Sequence, residues 1–121
     1  MKAINLKEKY AEFKAQWHPH EIAVVDNMRV LLAKIQGEFV WHAHENEDEL
    51  FQVIKGTLYM QFRDKTVEVN EGEVIVVPKG VEHNPMTKNN EEVHILLFEK
   101  CTTAHTGSVQ DEKTQTDYPK I

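Results

Sequence analysis

From Glu21 to Glu99 the chain is cut into short segments rich in Val, Ile, Leu and Phe, with no room for crossover helices between them. This pattern limits the fold more than any other feature of the sequence. The segments are 21–26, 28–36, 39–44, 49–54, 57–62, 66–69, 73–77 and 92–99, parted by Gly, Asn, Asp and Pro. Parallel strands need long connections, so short segments at close and regular spacing predict an all-β antiparallel barrel or sandwich. Arg63-Asp64-Lys65 and Asn70-Glu71-Gly72 read as tight hairpin turns. Ahead of the strands, Asn5 and Glu8 have capping-box spacing, and Leu6, Tyr10, Phe13 and Trp17 recur at helical intervals. A short N-terminal helix within 1–17 is expected, with Pro19 to end it. The stretch 102–121 is polar and is expected to be a loosely ordered tail.

With 121 residues the chain is long enough for one domain over 1–121, with its barrel at 21–100, and for one core without staples. Its single cysteine, Cys101, excludes an internal disulfide framework and a Cys-rich zinc module. Twenty acidic and 14 basic residues give a formal charge of −6, which argues against nucleic acid as a partner. Apolar runs such as Val30–Ala33 and Val74–Val77 are far too short for a helical membrane span, and Met1–Tyr10 is too charged for a secretory signal. A cytoplasmic protein that does not engage a membrane is expected. The one oddity of composition is seven histidines.

Two of these histidines, His42 and His44, are separated by one residue in a predicted strand. Side chains alternate across a strand, so both imidazoles project to one face, within reach of a single metal ion. Glu49 stands at the mouth of the next strand, and His83 follows a Pro78-Lys79-Gly80 turn. Neutral imidazole and carboxylate are common ligands of intermediate divalent metals. A His-x-His pair is also a common surface pattern, and spacing alone does not bring His83 to the other three.

These residues carry a family resemblance. Gly37, His42, His44, Glu49 and Gly56 resemble the first cupin motif, and Gly72, Pro78, Gly80 and His83 resemble the second. The fifteen residues between Gly56 and Gly72 are similar to the compact spacing of small single-domain cupins, including those like mannose-6-phosphate isomerase. The resemblance implies a double-stranded β-helix, or jelly roll, with His42, His44, Glu49 and His83 as ligands of a divalent metal: Fe, Mn, Ni, Co or Zn. Two departures stand out. Gly37 is one residue closer to His42 than is usual, and Thr87 stands where the second motif closes with Asn.

Three neutral imidazoles and one carboxylate leave one net positive charge on a divalent ion, with open positions if the ion is octahedral. The chemistry that suits such a site is oxygenation or isomerisation-type proton transfer on a polar small molecule. Candidates for a separate base are His94 and Tyr59, should their strand faces point inward. The lack of an Arg pair weakens a sugar-phosphate reading. His18-Pro19-His20 reads as an exposed linker rather than a second site, and Cys101 as an idle thiol. His105-Thr106-Gly107, with Glu112 and Thr114, resembles a tail of related small cupins, which implies a cover for either the barrel mouth or a neighbouring subunit and no chemical role for His105. The competing reading is a non-catalytic module that binds or senses a small molecule with the help of the metal. Exposed strand edges and the apolar content of 28–36 predict a homodimer.

Overall fold

The computed structural model describes residues 1–121. Its elements are α1 (Leu6–Tyr10), β1 (His20–Val25), β2 (Met28–Ile35), β3 (Glu49–Lys55), β4 (Leu58–Phe62), β5 (Thr66–Val69), β6 (Val74–Val77), β7 (His83–Met86) and β8 (Val93–Lys100). The strands form a five-stranded sheet in the order β1-β2-β8-β3-β6 and a three-stranded sheet in the order β5-β4-β7. Every strand pair is antiparallel. The two sheets face each other as a jelly roll. No helix is long and apolar enough to cross a membrane.

Strand parity decides what enters the barrel. Leu31, Ala33 and Ile35 of β2, Phe51 and Val53 of β3, Leu58 and Met60 of β4, and Val93, Ile95 and Leu97 of β8 form one buried cluster. Full burial of a side chain of this size stabilises by about 1.5–3 kcal/mol, so this row is the main support of the fold. On the outer face, Tyr10 and Phe13 cover Leu32 and make a smaller second cluster.

Seven of the eight expected strands form within a residue or so of their predicted ends. The eighth, 39–44, does not form a continuous ladder. Within it only His42 makes an isolated bridge, to His83, and just ahead of it Glu38 bridges Met86. Its partner β7 lies where no strand was expected, because the Pro85 in it signals a break. Proline tolerates an edge strand, and β7 is the edge of its sheet. Thr87 has a structural reason to stand where it does: its Oγ1 accepts from the Gly37 backbone N–H at 2.8 Å, while its own N–H donates to the Gly37 carbonyl.

The N-terminal helix is shorter than its periodicity suggests. Asn5 caps it by accepting from the Glu8 backbone N–H, as its spacing predicts, but the helix stops at Tyr10. Beyond it, Gln16 bridges Lys34, and the Trp17 backbone N–H donates to the Lys34 carbonyl. Docking on β2 thus overrides local helical preference, and non-helical chain brings Phe13 to a buried position and Trp17, partly buried, against the core cluster. The stretch 102–121 also differs from its expected looseness. Glu21 and Lys120 form a parallel bridge, Thr103 and Thr106 are buried, and the segment closes one end of the barrel.

Candidate metal centre

Four side chains converge at that closed end. One ligand-type atom from each of His42, His44, Glu49 and His83 lies within 4.8 Å of the others, and all four residues are buried. Their positions follow from local structure. His42 exchanges both backbone hydrogen bonds with His83, at 3.0 and 2.9 Å, which locks the two imidazoles together. The Gly80 N–H donates to the His44 carbonyl, so the Pro78-Lys79-Gly80 turn holds His44 as well. Glu49 opens β3, paired with Val77 on one side and Glu99 on the other.

The imidazoles are set for coordination. His42 Nδ1 lies 2.9 Å from the Val40 carbonyl oxygen, and His83 Nδ1 lies 3.0 Å from that of Val81. Each Nδ1–H therefore donates to a carbonyl two residues back, leaving the Nε2 lone pair free to face the cluster. His83 Nε2 and both nitrogens of His44 are buried with no hydrogen-bond partner. His44 Nε2 is 3.3 Å and His83 Nε2 is 3.6 Å from Glu49 Oε1, but neither contact is aligned as a hydrogen bond. Orphaned buried nitrogens around one carboxylate are costly unless a cation satisfies them, so this donor set fits a divalent metal.

Electrostatics agree. Burial, and then the neighbouring His83, push the His42 imidazole down to about 4, so it is neutral at pH 7. Burial alone would push Glu49 up, but contacts with His44, His83 and Glu99 hold it well below the usual carboxylate range. Glu99 moves the other way, raised by its burial and by the Glu49 charge beside it. Arg29 opposes that rise, with Nη2 at 2.7 Å from Glu99 Oε2 and again at 2.7 Å from the Thr103 carbonyl oxygen.

Beside the cluster is a cavity of about 440 Å3, its mouth included. Aliphatic side chains of β2 and β8 form its floor, and Trp17, Phe39, His105 and Tyr118 stand around it. Trp17 stacks on Phe39 at 4.7 Å, and Phe39 meets the His42 ring edge-on. The structure therefore brings all four sequence-predicted metal ligands together and leaves both candidate bases out. His94 faces outward, stacked on Tyr10 at 4.6 Å and beside Glu92. It shares parity with Leu96, whereas the inward residues of β8 are Val93, Ile95, Leu97 and Glu99. Tyr59 likewise lies on the outer face of β4, under the Lys88 ammonium, while Leu58 and Met60 fill the interior.

Three cavity residues were missed. Glu99 was legible in principle, being next in the inward series of β8. His105 and Tyr118 were not, because they come from a polar segment with no strand pattern. Gly107 shows how closely that segment docks: a Cβ there would strike the Ala43 carbonyl oxygen, between His42 and His44. His20, expected in an exposed linker, is instead buried at the start of β1 and stacked on Phe13 at 4.1 Å, and Cys101 is an exposed free thiol.

Residues 28–99 match the cupin domain family. The chain is 38% identical over 82 residues to the protein YdbB of Bacillus subtilis (strain 168), a match spanning 67% of this chain and 66% of that protein. Among solved structures, a cupin-2 domain containing protein from Shewanella frigidimarina is 44% identical, with a TM-score of 0.79 over 81% of this chain and 94% of that one. Protein NMB1881 from Neisseria meningitidis is 32% identical, with a TM-score of 0.73 over 82% of this chain and 99% of that one. Matched over most of its length in sequence and in fold, with a His/Glu cluster that could hold a metal, this chain belongs to the cupin family.

Proposed function

We propose that the chain is a metal-dependent enzyme whose barrel cavity is the active site, with oxygenation or isomerisation-type proton transfer as its reaction class. The observation that carries this reading is the set of four buried side chains whose ligand atoms lie within 4.8 Å of one another. A bound divalent ion (Fe, Mn, Co, Ni or Zn) would supply Lewis acidity or a position for substrate or dioxygen. The chain's own residues do the rest. Nδ1–H bonds to Val40 and Val81 fix the rings of His42 and His83. Arg29 holds Glu99 in a fixed place on the cavity wall.

The second reading is a binding or sensing module without turnover. It is favoured by the outward placement of His94 and Tyr59, which leaves no free histidine or tyrosine of the core strands as a base. Metal analysis of protein purified without chelator or nickel resin, beside His42→Ala/His44→Ala, tests the centre itself. The wild type is expected to hold about one ion per chain and the variant almost none; equal content in the two would sink the site. Anaerobic Fe(II) loading followed by oxygen uptake with candidate substrates then separates the oxygenase from the binder.

A further inference from the structure

The cavity is built for a kind of ligand that the sequence does not suggest. Its lining is mostly hydrocarbon and aromatic, and it includes no lysine or arginine. Arg29 is behind that wall, tied to Glu99 and to the Thr103 carbonyl. A sugar or a phosphate would therefore bury hydroxyls or charge without partners, at about 1–3 kcal/mol for each unpaired group. The titratable side chains on that lining, apart from the Tyr118 phenol, are His42, Glu49, Glu99 and His105; the Glu99 carboxyl is held by Arg29, and the four clustered ligands would leave a divalent ion with one net positive charge. A ligand matched to this arrangement has one anionic oxygen head and an apolar body.

His105 completes the head site. The Gln115 backbone N–H donates to His105 Nδ1 at 2.9 Å, so that nitrogen uses its lone pair as an acceptor. A neutral imidazole has one proton, and it must then reside on Nε2. Burial pushes the ring down to about 4, so it is neutral at pH 7. The ring lines the cavity between Phe39, at 4.9 Å, and Tyr118, at 5.9 Å. A donor fixed by its tautomer thus stands on the cavity wall, which Glu99 and Tyr118 line as well.

Resting on the metal-dependent reading above, we propose that the cavity takes a small monoanion with an oxygen head and a hydrocarbon body, and that His105 Nε2–H donates to the head. His105 is a specificity-determining residue supplied by the C-terminal segment.

The test uses zinc-loaded full chain and two probes of equal shape, 4-methylpentanoate and succinamate, which differ in an isopropyl against a carboxamide end. Calorimetric titration should show 4-methylpentanoate binding at least about tenfold more tightly, since the carboxamide would be buried unpaired. His105→Phe should keep its zinc and lose about tenfold in affinity, whereas His105→Gln, which retains a donor, should recover most of it. In metal-free protein, 15N NMR of the ring should place the proton on Nε2. Succinamate binding as tightly as 4-methylpentanoate would overturn the ligand class. Unchanged affinity in His105→Phe, or a proton on Nδ1, would overturn the role of His105. Absence of zinc from the wild type would overturn the metal-dependent reading, and the NMR result on metal-free protein would still decide the tautomer.

Discussion

At the scale of single residues, the four clustered side chains were readable because their chemistry and spacing are local signals. His42 and His44 needed only strand alternation and Glu49 a place at a strand mouth, whereas His83 was joined to them by the resemblance to the second cupin motif, since spacing alone does not bring it there. His105 had no such signal, since its place depends on how residues 102–121 dock on the barrel. That docking predicts a pH effect. Unfolded, His105 titrates near its ordinary 6.5, whereas burial in the fold pushes it down to about 4. The unfolded chain therefore binds more protons between those values. The contribution of His105 is complete above about pH 6.5, is lost as pH falls toward 4, and is flat below that. For a ring that is partly exposed, the loss is on the order of 2 kcal/mol. Urea unfolding of metal-free protein at several pH values should show stability falling across this window, with a shallower fall in His105→Phe. Parallel profiles would show that the ring is not buried in solution.

At the scale of elements, most strands were legible because apolar alternation between turn residues is a strong signal. The segment 39–44 misled because it has that composition without a continuous neighbour to pair with. β7 was hidden by its proline, and the second half of the expected helix was lost to docking on β2. The C-terminal segment is the element with most influence on the site, since Gly107 presses on Ala43 between two of the clustered histidines. Its backbone is in the left-handed region, at φ +59, so a side chain there is strained as well as obstructed. Gly107→Ala should therefore loosen the segment, lower the melting temperature by several degrees and weaken zinc affinity tenfold or more. Unchanged melting and zinc affinity would show that the segment does not support the histidines.

For the whole molecule, the barrel leaves a surface that its own core does not use. Val24 and Val25 on β1, and Val74 and Val76 on β6, are about half exposed at the two edges of the larger sheet. Between them, Ala23, Val30, Phe98, Leu50 and Val76 are cross-strand neighbours, so one apolar row crosses all five strands. We expect a second copy to cover this row in an isologous pair, consistent with the homodimer suggested by the sequence. Sedimentation should give a dimer for the wild type and a monomer for Phe98→Lys/Val76→Lys; a wild-type monomer at micromolar concentration would exclude it. The same row bears on how the site is specified. β8 is apolar on both faces, with Val93, Ile95 and Leu97 inside and Leu96 and Phe98 outside. Hydrophobicity therefore guards its register weakly. A slip of one residue would keep a greasy strand between β2 and β3, yet it would exchange Glu99 for the ammonium of Lys100 beside the four clustered ligands. The chemical identity of the cavity is thus written in strand pairing, which sets whether Glu99 or its neighbour Lys100 faces the four clustered ligands.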